Sequence, residues 1–183
     1  MNLEHYRNAM ERLYRLCWQT PLRRYAVAYL LGATGRRIGE VWILTTRDID
    51  FERGTIMWYI LKKRRSDYYV TLPMSQRLND ILRRYIVFNG ISDRLFPVFN
   101  GISDRLFPVS KRQLELDVKK ALNEVGLYSW KPHDLRHAFI LEALLNSKSI
   151  ELVRRWTQHS SYKELLEYVR VVGLEIDRPL VPW

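Results

Sequence analysis

The sequence is poor in the residues that staple or anchor small proteins. It holds a single cysteine, Cys17, in 183 residues. This excludes an internal disulfide framework and a four-cysteine zinc site, and it fits a reducing compartment. The longest apolar run, Tyr25 to Ala33, is too short to span a bilayer, and the N-terminus lacks the charged-then-apolar order of a secretory signal. A cytoplasmic protein with no membrane partner is expected. Acidic side chains are also scarce: 20 Asp and Glu face 30 Lys and Arg, a formal charge of +10. A polyanion is the expected partner. The basic residues come as short runs spread along the chain: Arg23-Arg24, Arg36-Arg37, Lys62 to Arg65, Arg83-Arg84, Lys111-Arg112, Lys119-Lys120 and Arg154-Arg155. That spread suits a folded surface following a phosphate backbone better than a disordered basic tail.

What is present is enough for a core. At 47% hydrophobic content the chain fits one globular domain over residues 1–183. Leu3, Tyr6, Met10, Leu13 and Cys17 step by three and four, predicting an amphipathic helix that ends before Thr20-Pro21. A second helix is expected from Pro21 to about Gly32. A third should open near Thr34-Gly35 and carry Arg37, Glu40 and Trp42. The period then changes. The stretches TIMWYILKK and DYYVTLP, rich in aromatic and β-branched residues, read as two strands of a hairpin around Arg64 to Ser66, with Ile49 to Phe51 as a third strand. Ser75 caps a helix ending near Phe88, and Ser110 with Gln113 forms a capping box for one stopped by Gly126. Three more helices follow Pro132: His133 to Asn146, Ser149 to Trp156, and one begun by a Ser161 to Glu164 box. The fold class is α+β, mainly helical, with one small antiparallel sheet.

One stretch repeats itself letter for letter. VFNGISDRLFP occupies residues 87–97 and again 98–108. An eleven-residue period is compatible with a helical supercoil, but each copy carries Asn-Gly and Pro, which break helices. Two such short units cannot build a solenoid either. The repeat is expected to be a duplicated loop, one copy serving as the ordinary connection and the other bulging out or pairing with it as an Asn-Gly hairpin.

Chemistry concentrates in three segments. KPHDLRHAF places His133, Arg136 and His137 within about one helical turn, and His133 and Arg136 share a face. A guanidinium grips two phosphate oxygens, and a histidine exchanges protons near neutral pH. The rival reading is metal, since His-Asp-x-x-His is spaced like the zinc motif His-Glu-x-x-His. Against it stand the Asp in place of Glu and the Arg inside the motif. ATGRRIGEVW puts an arginine pair at the start of a helix, where anions are favoured, with an Arg37–Glu40 surface ion pair as the bland alternative. QHSSYKELLEYVRV adds His159 and, nine residues on, Tyr168.

In this order, TGRRIGE, a basic hairpin, HDLRH, and a histidine followed nine residues later by a tyrosine resemble the tyrosine recombinases, the phage-integrase family of the Xer proteins, Cre and lambda integrase. The likeness runs from about Pro21 to Val171, and the lack of the bacterial Leu-Gly-His before Tyr168 points to an archaeal virus or plasmid as a candidate source. It implies that Arg37 and Arg136 hold the non-bridging oxygens of a scissile phosphate, the charge that dominates phosphoryl chemistry. It implies Tyr168 as the nucleophile, forming a 3′-phosphotyrosyl bond as in type IB topoisomerases. His133 becomes an acid/base helper and His159 a donor to the phosphate. Lys63 on the hairpin would protonate the leaving 5′-oxygen, with Lys62 still open beside it. Arg36, Lys62, Arg64, Arg65 and Lys131 would lie against the DNA.

Rejoining on this scheme needs neither ATP nor metal, and no cofactor is implied. The implied partners are a double-stranded recombination site and, in synapsis, a homotetramer of this chain. Three departures are visible. Arg36 stands where the family usually has an apolar residue, the hairpin lacks a glycine turn, and Thr157-Gln158-His159 replaces Leu-Gly-His. The family's separate N-terminal DNA-binding domain is expected to be absent, and residues 172–183 form a tail that packs on its own domain or on a neighbouring subunit. A DNA-binding relative without catalysis and a histidine-dependent metal hydrolase are the alternative readings.

Overall fold

The computed structural model describes residues 2–61, 68–91, 105–159 and 161–173. The chain divides into two compact units, residues 1–139 and 140–183, described separately below.

The first unit is built around one buried helix. Helix α1 (Leu3–Gln19) is capped by the Asn2 side chain and turns Tyr6, Ala9, Leu13 and Cys17 inward, as its spacing predicts. Cys17 is buried, and burial pushes its thiol up to about 12, so it serves as a small apolar side chain. Helix α2 (Arg23–Thr34) is buried along eight consecutive residues, Tyr25 to Gly32, and packs against α1 and later helices. A helix apolar all round must sit inside. It starts two residues beyond Pro21 and runs past Gly32, because the Thr34 hydroxyl donates to the Leu30 carbonyl at 2.6 Å and Gly35 supplies the left-handed cap. Helix α3 (Ile38–Ile43) therefore opens later than expected, with Arg37 as its N-cap.

After a short 3₁₀ turn, β1 (Ile49–Asp50), β2 (Thr55–Tyr59) and β3 (Tyr69–Pro73) form an antiparallel sheet in the order β1-β2-β3. The register runs from Thr55 opposite Pro73 to Tyr59 opposite Tyr69. Ile56 and Trp58 face the core, the alternation of a half-buried strand. Ser75 caps α4 (Gln76–Phe88) and Ser110 caps α5 (Lys111–Glu124), each hydroxyl accepting a backbone N–H three residues on. An Arg23–Asp117 pair at 2.6 Å ties α2 to α5. Helix α6 (Pro132–Ser147) crosses the boundary between the units.

The two ends of the duplicated segment are described. Val87 and Phe88 finish α4 and Asn89 is its cap. At the other end Leu106 and Phe107 are wholly buried, Phe107 lies 5.3 Å from the Tyr85 ring, and the Leu106 N–H donates to the Leu44 carbonyl at 2.8 Å. The head of the first copy and the tail of the second thus share the packing of one connection. Residues 92–104, one unit plus Ser-Asp, lie outside the described residues, and so does the expected hairpin between the copies.

In the second unit α7 (Ile150–Thr157), capped by Ser149, packs against α8 (Tyr162–Val172). Val153, Leu165 and Val169 are buried. Ser161 stands at the N-cap of α8 without a side-chain cap hydrogen bond, so that half of the expected capping box is not formed. Among the described residues no helix is long and apolar enough to cross a membrane.

Candidate active site

In the first unit the TGRRIGE segment meets the start of α6 through backbone chemistry. Gly35 adopts φ +62, and a Cβ there would stand 2.3 Å from Phe139 Cδ1, so neither its conformation nor its surroundings admit a side chain. Its carbonyl, left open by the turn, accepts a hydrogen bond from Arg136 Nη1 at 2.5 Å. Arg136 is 2% exposed, so this bond fixes a charge that has little access to water.

The next two residues split in role. Arg37 keeps its side chain 23% exposed, and both its groups are held by Glu40: the backbone N–H donates to Oε2 at 3.1 Å and Nη1 to Oε1 at 3.2 Å. Glu40 is buried, so the pair is not the surface contact of the bland reading but an interior carboxylate orienting a partly open guanidinium. Arg36, expected against DNA, is 1% exposed. Its guanidinium lies 3.8 Å from the same Glu40 and 5.4 Å from the Trp58 ring centroid. Burial lowers its pKa to about 10. Arg36 is an interior cation in a slot where the resemblance expects an apolar side chain, and as such it presents nothing to a DNA backbone.

His133 and His137 stand one turn apart on α6 with ring centroids 4.4 Å apart, edge to face. Partial burial holds the His133 pKa below its ordinary value, reinforced by His137, Arg136 and Arg37. Arg37 and Arg136 are therefore both close enough for His133 to feel their charge, and His133 is neutral at pH 7. The His137 pKa is also lowered, by burial first and Arg136 second. Among the described residues no group of three or more His, Cys, Asp or Glu is gathered that could hold a metal ion. Lys131 is exposed just before α6, its N–H donating to Asp134 Oδ2 at 2.7 Å. Lys62, Lys63, Arg64 and Arg65 lie outside the described residues.

His159 and Tyr168 belong to the second unit. Helix α7 ends at Gln158, which takes φ 54 and ψ 43, the left-handed turn usually given to glycine. The chain thereby folds back, and buried His159 places Nδ1 at 2.6 Å from Thr157 Oγ1. His159 Nε2 lies 3.7 Å from Glu164 Oε2. Tyr168 is half-buried on α8. The nearby Tyr162 is engaged elsewhere: its hydroxyl donates to Glu151, and the Arg154 guanidinium lies 4.9 Å from its ring centroid. The hydrogen bond to Glu151 raises the Tyr162 pKa, the wrong direction for a nucleophile.

Several basic residues of the sequence are committed internally. Arg23 pairs with Asp117, Arg24 with Glu124 at 3.0 Å, and Arg83 with Glu52 at 2.8 Å. The Arg84 guanidinium lies 5.1 Å from the Trp18 ring centroid. The contacts of Gly35 with Arg136 and of Thr157 with His159 were missed by sequence reasoning. A glycine between two motif residues, and a threonine where the resemblance expects leucine, were the available signals.

Comparison with known proteins places this arrangement in company. Residues 5–173 match the phage integrase family. The chain is 26% identical over 152 residues to tyrosine recombinase XerC of Corynebacterium glutamicum, covering 82% of this chain and 47% of that protein. It is 27% identical over 177 residues to the probable integrase/recombinase protein MJ0367 of Methanocaldococcus jannaschii, covering 89% and 51%. The chain thus spans about half the length of these curated relatives. The crystal structure of XerH site-specific recombinase bound to difH substrate is similar in fold, with a TM-score of 0.69 and 20% identity over 92% of this chain and 49% of that one.

Proposed function

Since the chain belongs to the phage integrase family, we propose that it carries the catalytic part of a site-specific recombinase that cuts and rejoins duplex DNA through Tyr168, without metal or cofactor. One observation supports this most: two arginines from separate motifs, Arg37 held by buried Glu40 and Arg136 held by the Gly35 carbonyl, both bear on a neutral His133. A pair of fixed cations beside a proton acceptor suits the pentacoordinate phosphorus of a transesterification. The cations match charge that grows in the transition state, and their orientation is set before substrate arrives.

Tyr168 attacks phosphorus, the 3′-phosphate stays on the phenolic oxygen, and the 5′-oxygen leaves with a proton. His133 accepts or returns the tyrosyl proton, His159 donates to a phosphate oxygen, and Lys63 supplies the leaving-group proton. Lys131 with Lys62, Arg64 and Arg65 contact the flanking backbone, which is sequence-independent and salt-dependent. XerH was solved bound to its difH substrate, and by analogy a duplex recombination site and a homotetrameric synapse are the partners proposed here, in the cytoplasm on DNA.

The test is trapping of the covalent intermediate on nicked duplexes made from the DNA that flanks the gene. A protein–DNA adduct that persists in EDTA and is lost in Tyr168→Phe is the expected result. A wild-type chain that binds these duplexes without forming an adduct would make it a DNA-binding relative instead.

A further inference from the structure

Two atoms that can accept a hydrogen bond lie close to the Thr157 hydroxyl, which has one hydrogen. Its Oγ1 lies 2.6 Å from the Val153 carbonyl oxygen and 2.6 Å from His159 Nδ1. A carbonyl only accepts, and two oxygens at that separation require a hydrogen between them. The hydroxyl hydrogen therefore points to Val153, and the lone pair faces the ring. At 2.6 Å that contact needs a hydrogen on Nδ1.

We infer that Thr157 is a positioning residue that fixes the proton of His159 on Nδ1. A neutral imidazole carries one proton, so Nε2 is then bare and can only accept. The backbone makes the arrangement local: Gln158 in its left-handed turn brings His159 back over Thr157, and the Gln158 amide locks the turn by donating to the Arg155 carbonyl at 2.5 Å. The inference rests on the reading of His159 as a donor to phosphate in one respect. With Nδ1 occupied, His159 donates from Nε2 only as the imidazolium. The Glu164 carboxylate, 3.7 Å from Nε2, favours that cation. Thr157 thus turns a neutral donor into one that must first be charged, which strengthens its bond to a phosphate oxygen.

Nitrogen NMR of the full chain tests this without DNA. Above the titration of the ring, wild type should show His159 with Nδ1 protonated and Nε2 bare. Thr157→Val keeps the shape and removes the acceptor, and its ring should pass to the Nε2–H form that histidine prefers in water. Thr157→Ser should restore the wild-type pattern. A wild-type neutral ring protonated at Nε2, or a folded Thr157→Val chain that keeps the proton on Nδ1, would overturn the inference. If Thr157→Val does not fold, the wild-type and Thr157→Ser spectra decide alone. Failure of the recombinase reading would appear separately, as loss of the covalent adduct in wild type, and leaves these spectra unchanged.

Discussion

Replacing Arg36 by methionine should make the protein more stable and leave DNA cleavage intact. The guanidinium is fully buried, and its pKa falls from 12.5 to about 10. At about 1.4 kcal/mol per unit this is about 3 kcal/mol held against the charged form in the fold, the attraction of Glu40 already included. The unfolded chain keeps its proton to a higher pH than the folded one. The penalty is therefore complete throughout the neutral range and is relieved only above pH ~10. Methionine gives up the desolvated cation–π contact with Trp58, worth about 2 kcal/mol, and recovers about 1 kcal/mol of it as a sulfur–aromatic contact.

Glu40 is not orphaned by the change, because it keeps the Arg37 backbone N–H and guanidinium. That separates this case from the usual cost of breaking a buried pair. The expected gain is about 2 kcal/mol, or roughly 4–8 °C in Tm for a chain of this size. Thermal and denaturant unfolding measure it, with adduct formation assayed in parallel. A loss of stability of about 1 kcal/mol or more, or a loss of cleavage as complete as that of Arg37→Met, would refute the assignment of Arg36 to the interior and Arg37 to the phosphate.

Other changes probe the rest of the site. Gly35→Ala combines a disfavoured φ with a collision at Phe139 and should cost about 2–4 kcal/mol in urea unfolding, with cleavage falling further than stability because the Arg136 anchor moves. His133 is held neutral below its ordinary pKa of 6.5, so its basic form is complete at pH 7.5 and is lost only on the acid side. Single-turnover cleavage should hold steady down to pH ~6.5 and fall below it, and His133→Gln should be slow with a flat acid limb. Deleting residues 98–108 should leave the unfolding midpoint and the adduct yield near wild type, since added loop length costs little entropy. A folded deletion chain that no longer cleaves would show that the extra unit takes part in the reaction.

Where the controlling chemistry is local, the sequence was a good guide. Ser75 and Ser110 cap helices as expected, because the hydroxyl and the backbone N–H it meets are only three residues apart, although Ser161 at the start of α8 forms no such bond. The strand pairing of Thr55–Tyr59 with Tyr69–Pro73 follows from alternation. The start of α3 was misplaced because Thr34 bonds back into α2, prolonging it, and the three residues Gly35 to Arg37 form the turn before Ile38. The burial of Arg36 was illegible for a different reason. Charge predicts a surface, whereas Trp58, on a strand that follows later in the chain, helps make an interior slot for it. The Gln158 turn was hidden likewise, since a non-glycine residue gives no sign of a left-handed backbone.

The doubled segment has a property that neither copy has alone. Removing residues 87–97, 92–102 or 98–108 leaves one and the same sequence, because the units are identical. The fold uses the capping Asn89 from the first copy and the core pair Leu106-Phe107 from the second, while the first copy spells Leu95-Phe96 with the same letters. The letters that fill this socket in the core thus stand twice in the chain. A single slippage of the DNA that removed one copy would leave a shorter gene without altering any residue that remains.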